Sequence, residues 1–372
     1  MYKFLTVLCI WMTTSVGAGI VRPLETPQQT CQCVPKYMCM DNESGANIKD
    51  LVDIRILELQ CGNNGDICCR SLKRKLASTV LLESESEENT PTEEPAMSES
   101  AHFDSCGYQM KFSERIVGGK IITTGEVPWA VAILFKEVMY WRFLCGGSLI
   151  HPKVVLTAGH CVYKYDVPNL RVRAGEIDNE NDSEPLPHQD TFVADMVVHK
   201  LFHGETLKND IALLFLTEPF EIAPNVQIVC LPSGDLTSLR TNCESSGYGV
   251  VGMEAPFTGK QLNKVDIPLV PRAQCVAKLR NTRLGSYFNL HRSFICAGGG
   301  EGQDTCKGDG GGALVCPMKN QANRFVQIGI VSWGVGCGEG IPGIYANVNL
   351  FRRWIDEQFT YRKLDINVNR YQ

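Results

Sequence analysis

The chain has 372 residues, 44% of them hydrophobic and 21% charged, which excludes a wholly disordered or collagen-like polypeptide. Lys+Arg 36 against Asp+Glu 41 gives a formal charge of −5, so nothing recommends nucleic acid as a partner. The 17 cysteines are many for a reducing compartment and ordinary for a secreted, disulfide-stapled protein.

At the N-terminus Lys3 precedes an apolar run over residues 4–12, and small residues follow to Val16-Gly17-Ala18. This layout predicts a secretory signal peptide over residues 1–18, with an apolar run too short for a membrane span. Cleavage near Ala18 would remove Cys9 and leave an even number of cysteines, all able to pair. The expectation is a soluble, extracellular protein without a membrane partner.

Six cysteines, Cys31, Cys33, Cys39, Cys61, Cys68 and Cys69, fall within residues 31–69. So short a segment needs covalent staples because it cannot bury enough apolar surface. Zinc is disfavoured, since no His accompanies these cysteines and the compartment is oxidising. Between them, Leu51-Val52-Asp53-Ile54-Arg55-Ile56-Leu57 alternates in part and predicts a strand or short helix inside the knot. Residues 70–115 read as a linker. They open near the basic Lys73-Arg74-Lys75 and then carry six Glu over residues 83–94 with no Lys or Arg, an extended, self-repelling tether. Asn42-Glu43-Ser44 and Asn181-Asp182-Ser183 match the N-glycosylation sequon.

From Ile116 onward short Val/Ile/Leu-rich segments, such as residues 131–135, 154–157 and 328–331, are punctuated by Gly and Pro. This texture predicts an all-β barrel or sandwich. Val348, Phe351, Trp354, Ile355 and Phe359 recur at helical spacing, so an amphipathic helix should close the domain.

Within residues 116–372 stand three chemically suggestive motifs. Thr157-Ala158-Gly159-His160-Cys161 follows Cys145-Gly146-Gly147-Ser148; Asn209-Asp210-Ile211-Ala212 heads an apolar run; and Cys306-Lys307-Gly308-Asp309-Gly310-Gly311-Gly312 comes about a hundred residues later. In this order, and with Arg115-Ile116-Val117-Gly118-Gly119, Pro128-Trp129, Ser332-Trp333-Gly334 and Pro342-Gly343-Ile344-Tyr345, they resemble the chymotrypsin-like (trypsin family) serine proteases. The resemblance implies two six-stranded antiparallel β-barrels and a C-terminal helix.

It also implies site residues. Catalysis on this fold uses a serine hydroxyl as nucleophile, a His as its base and a buried Asp that orients the His. The match puts His160 as base, Asp210 as orienting acid and Gly310 at the nucleophile position, which therefore has no hydroxyl. Losing the nucleophile of such a triad lowers kcat by about 10⁶, and binding plus the oxyanion hole leaves only about 10³–10⁴ over water. Proteolysis is thus rejected as the main function, with His160 and Asp210 vestigial. Thr305 and Ser332 are the nearest other hydroxyls, and the family places both in the pocket wall. Asp304 would floor the specificity pocket between Gly334 and Gly343, as in an Arg/Lys-specific protease, while the Gly308 and Gly310 N–H groups would form an oxyanion hole. The chain departs from the family with Gly159 for Ala, Tyr248 for Trp and Ala313 for Pro. Arg115-Ile116 matches a zymogen cleavage site for a trypsin-like clip protease. The freed Ile116 ammonium would pair with Asp309, and cleavage would be followed by assembly into an oligomer. Glu176, with the acids that follow it, aligns with a calcium loop and would offer hard oxygen ligands to structural Ca²⁺. No cofactor is required.

The family pattern pairs Cys145–Cys161, Cys243–Cys316, Cys275–Cys296 and Cys306–Cys337, and leaves Cys106–Cys230 to tie the linker to the barrel. Cys31-Gln32-Cys33-Val34-Pro35 and Cys68-Cys69 resemble a clip domain of arthropod secreted proteases, which implies Cys31–Cys68, Cys33–Cys61 and Cys39–Cys69 over residues 31–69. A clip domain ahead of a trypsin-like domain lacking the serine resembles the masquerade-like serine protease homologues of the prophenoloxidase-activating factor 2 type. Thr282-Arg283-Leu284-Gly285 and Cys296-Ala297-Gly298-Gly299 carry that closer likeness. It implies a secreted, non-catalytic cofactor in haemolymph, with prophenoloxidase or its activating protease as partner, acting in melanisation and innate immunity. Two other readings stay open: an active protease that lost its serine by mutation, and a recognition protein for microbial surfaces, for which no lectin-like signal is present.

Overall fold

The computed structural model describes residues 32–35, 53–54, 66–69, 105–109, 122–178, 185–249, 261–300, 305, 308–321, 323–336 and 340–371. The signal peptide, the acidic linker, Arg115, Ile116, Asp304, both glycosylation asparagines, Cys306, Cys337 and the side chains of the clip cysteines lie outside them. Among the described residues no helix is long and apolar enough to cross a membrane.

The chain divides into two compact units, Met1–Asp41 with Gln60–Thr79, and Asn42–Leu59 with Val80–Gln372. In the first, β1 (Gln32–Pro35) and a later strand, β3 (Asp66–Cys69), form an antiparallel pair with Cys33 opposite Cys68. The short β2 (Asp53–Ile54) belongs to the second unit. The partial alternation of residues 51–57 therefore does produce a strand, but its partner is a barrel strand and not the cysteine knot.

The second unit opens with β4 (Ala130–Glu137), β5 (Tyr140–His151), β6 (Val154–Thr157), β7 (Leu170–Ala174), β8 (Gln189–Val198) and β9 (Ala212–Leu216). These close a barrel in the order β4-β5-β6-β9-β8-β7. A one-turn helix α1 (Gly159–Val162) lies between β6 and β7. The next strands are β10 (Asn242–Gly247), β11 (Asn263–Val270), β12 (Phe294–Ala297), β13 (Ala313–Pro317), β14 (Phe325–Gly334) and β15 (Gly343–Asn347). Their order is β13-β10-β11-β12-β15-β14, and a β13–β14 pairing closes them into a second six-stranded antiparallel barrel. Helix α2 (Arg272–Arg280) precedes β12, and α3 (Val348–Tyr361) ends the fold. Asn347 caps α3, and Val348, Phe351, Ile355 and Phe359 form its buried face, the stripe that helical spacing requires.

One apolar core runs through both barrels. Trp129 before β4 packs on Phe325 of β14 with ring centroids 5.7 Å apart, and both are buried. The Ser148 hydroxyl of β5 donates to Gln327 Oε1 of β14 at 2.6 Å, so the two strands also meet through a satisfied buried polar pair. Disulfides Cys145–Cys161, Cys243–Cys316 and Cys275–Cys296 staple barrel segments, and Cys106–Cys230 ties the segment before the barrels to the second one. Residues 105–109 are further fixed by Gly107 N–H to Ile228 O at 2.7 Å and by Phe325 N–H to Gly107 O at 2.7 Å.

Lys264 of β11 ties Glu126, before β4, to Glu244 of β10, at 2.6 and 3.2 Å. Burial opposes charge on Glu126, but the Lys264 ammonium and the Thr123 groups outweigh it and hold this carboxyl below its ordinary pKa. Burial likewise opposes charge on Lys264, and the two carboxylates outweigh it and raise its pKa. A depressed acid stabilises the fold above its unfolded pKa and loses that contribution as pH falls through the folded one; a raised lysine is the reverse at alkaline pH. Lys264→Met should therefore cost up to about 1 kcal/mol at pH 7. In thermal denaturation the difference from wild type should close as the pH falls through the acid limb.

Candidate functional site

The residues singled out by the motifs meet on one buried carboxylate. Asp210 sits two residues before β9 and is fully buried. Ahead of it, Leu207 and Asn209 take left-handed backbone angles (φ 54° and 56°), a conformation that Asn tolerates better than most residues. The Asn209 side-chain N–H donates to Leu201 O at 2.7 Å and its backbone N–H to Ser293 Oγ at 3.1 Å, which fixes the approach to Asp210.

Asp210 Oδ1 accepts the His160 backbone N–H at 2.7 Å, and Oδ2 accepts His160 Nδ1–H at 2.6 Å. Ser332 of β14 donates its hydroxyl to the same Oδ2 at 2.5 Å. A carboxylate at Nδ1 places the neutral imidazole proton there and leaves Nε2 as the basic atom. His160 is itself buried, on α1. At Gly159, which precedes it, a Cβ would stand 3.1 Å from the Phe202 ring and 3.3 Å from Val198, closer than ordinary packing.

The Ser332 hydroxyl is already committed to the orienting carboxylate. The Ser332-Trp333-Gly334 motif carried that information only through its position in the fold. Thr305 is buried too, its hydroxyl 3.1 Å from the Tyr345 hydroxyl. Neither supplies a nucleophile aimed at His160 Nε2. Cys145, Cys161 and His160 present their ligand-type atoms within 4.8 Å of one another, but the two sulfurs are bonded to each other and offer no thiolate to a metal.

The loop over residues 308–312 docks on β5, next to β6 and the α1 helix that carries His160. Gly146 donates its N–H to Gly310 O at 2.9 Å and accepts the Thr157 hydroxyl at 2.9 Å. Gly311 lies between them with φ 82°, and a Cβ there would fall 2.3 Å from Gly146 O. Only glycine fits that approach. Gly310 is not among the left-handed glycines of the described residues, so a serine side chain would meet no backbone strain there. Asp309 accepts the Gly249 N–H at 2.9 Å.

Gly334 ends β14 and Gly343 begins β15, both buried, whereas Asp304 is outside the described residues. The Glu176 carboxylate receives Arg173 and the His188 ring, each at 3.1 Å, and Asp190 receives the Arg173 guanidinium at 2.9 Å. The Arg173 guanidinium and the His188 ring thus stand where Ca²⁺ would need free oxygens, and these described acids do not fit the ion. Tyr248, the residue in place of Trp, donates its hydroxyl to Glu176 O at 2.7 Å.

The family described as Trypsin matches residues 116–355, and the one described as Serine protease Clip domain PPAF-2 matches residues 24–70. The chain is 43% identical over 301 residues to Phenoloxidase-activating factor 2 of Galleria mellonella, covering 76% of this chain and 97% of that protein. It is 31% identical over 383 residues to Inactive CLIP domain-containing serine protease A28 of Anopheles gambiae, covering 96% of each. To Protein masquerade of Drosophila melanogaster it is 36% identical over 267 residues, covering 69% of this chain and 25% of that protein.

His160 and Asp210 are already hydrogen-bonded, so the effect of a hydroxyl at position 310 can be tested directly. Gly310→Ser in the form cleaved after Arg115 should raise hydrolysis of an arginyl anilide at least ~100-fold above wild type, a small part of what a complete triad supplies. The gain should vanish in Gly310→Ser/His160→Ala, which initial-rate assays of the three proteins would check.

Proposed function

Since the chain belongs to the trypsin family and within it to the clip-domain serine protease homologues, we propose that it is a secreted, inactive protein-binding cofactor of a proteolytic cascade. One position carries this reading. Gly310, directly after Asp309, stands where the resemblance puts the nucleophile, and a hydrogen cannot attack a carbonyl. Support comes from the relatives named as inactive, and the likeness to a phenoloxidase-activating factor favours prophenoloxidase activation as the cascade, hence melanisation in haemolymph. Prophenoloxidase or its activating protease is the partner.

In this reading Arg115-Ile116 is a switch cut by a trypsin-like clip protease. The freed Ile116 ammonium enters the second barrel and takes Asp309, whose carboxylate receives Gly249 N–H in the uncut chain. A buried, hydrogen-bonded pair of this kind biases a two-state loop by several kcal/mol, and no serine hydroxyl is needed for it. The reordered loop over residues 308–312 then completes a protein-binding, oligomer-forming surface. The Cys106–Cys230 bond keeps the N-terminal part attached to the barrel after the cut.

Arg115→Gln should abolish support of phenoloxidase activation in a reconstituted assay while leaving the fold intact. Equal support by the uncleavable protein would overturn the switch. In cleaved wild type the N-terminal chain should stay with the barrel on non-reducing denaturing electrophoresis and part from it on reduction.

A further inference from the structure

Beyond α3 the chain turns back and packs again. Lys363 takes a left-handed backbone angle (φ 56°), and Leu364 returns its N–H to Phe359 O at 3.0 Å, which closes the helix end. Leu364, Ile366 and Val368 then alternate with Asp365 and Asn367, and the three apolar residues pack against the core.

This tail ends on a disulfide. Asn369 is 1% exposed; its O accepts the Leu231 N–H at 2.8 Å and its Nδ2 donates to Ile150 O at 3.0 Å. The tail is thereby pinned to β5 and to the residue after Cys230. Arg370 O lies 3.5 Å from Cys106 Sγ, and half-buried Tyr371 packs against the apolar cluster that contains Cys106 and Cys230. Two side-chain contacts hold this end down: Arg370 meets Asp356 of α3 at 3.3 Å, and the Tyr371 hydroxyl donates to Asp235 O at 3.4 Å. Arg324, itself buried, donates Nε–H to Cys106 O at 3.1 Å and brings Nη2 to 3.9 Å from Cys106 Sγ. Both cysteines are 0% exposed. Reduction of a disulfide needs a thiolate to reach one of its sulfurs, so its rate depends on access.

We propose that residues 366–371 are a lid that keeps the Cys106–Cys230 bond from small thiols such as glutathione, and that detaching or trimming this tail makes the bond reducible. With the lid away, a thiolate attacks Cys230 Sγ and forms a mixed disulfide. The S–S bond breaks, and its electron pair leaves with Cys106 as a thiolate beside the Arg324 guanidinium. A cationic neighbour stabilises a thiolate and so favours Cys106 as the leaving group. A second thiol resolves the mixed disulfide: two thiols become one external disulfide, and the protein gains two Cys thiols. In a chain cut after Arg115, this reduction removes the covalent tie between the N-terminal part and the barrels. The shielding itself precedes any cut, so it stands apart from the proposed cascade role.

The test uses the uncut, full-length wild type, Asn369→Ala, and a chain ending at Asn367. Each is incubated with reduced glutathione under native conditions and alkylated with iodoacetamide at intervals. Peptide mass spectrometry then follows Cys106 and Cys230, with the buried Cys275–Cys296 bond of a separate apolar cluster as control. Labelling of Cys106 and Cys230 should be at least ~10-fold faster in the truncated chain and accelerated less in Asn369→Ala, with the control pair unchanged. The first trapped species should carry glutathione on Cys230. Wild-type rates in both variants would overturn the lid, as would equal acceleration of the control pair in both, which marks general loosening. Glutathione found first on Cys106 would overturn the assigned direction of attack.

Discussion

A carboxylate with no access to water is the constraint on which the rest of the second unit depends. Asp210 is fully buried and ionised groups in that position cost several kcal/mol unless their oxygens are hydrogen-bonded. Its partners come from both barrels: the His160 N–H and ring from α1, and the Ser332 hydroxyl from β14. Removing any one leaves a buried charge short of a partner. The His–Asp pair is therefore structural before it is catalytic, and a chain that has discarded turnover still has a physical reason to keep it.

The same economy applies around Gly310. The 308–312 loop is held by the backbone of Gly146 and Val331, contacts that need no side chain at position 310. If position 310 is where a hydroxyl is absent, the loop's anchorage does not depend on it.

Much of this was legible in the sequence. The α3 stripe from Val348 to Phe359 follows from helical periodicity, and the short β-rich segments give the barrels. His160, Asp210 and Gly310 stand out only by their joint order, because the contacts among His160, Asp210 and Ser332 span 50 and 122 residues. Residues 51–57 showed a strand tendency, but the sequence could not name its partner: β2 pairs with a strand about 280 residues away, and the vacancy it fills is made by where β13 ends. Among the described acids of the expected cation loop, Glu176 meets Arg173 of β7 and His188 before β8. Charge patterns in sequence do not reveal which opposite charge the fold brings to meet them.

The central claim is that the hydrogen-bonded His160–Asp210 pair stands here without a nucleophilic hydroxyl. Stopped-flow mixing of the cleaved wild-type protein with an arginine-like ester titrant measures this directly, because acylation of an active-site hydroxyl releases a stoichiometric burst of alcohol. The account predicts no burst, only the slow linear release given by buffer. A burst approaching one equivalent per chain would contradict it, since some hydroxyl other than the one missing at Gly310 would then be doing the chemistry.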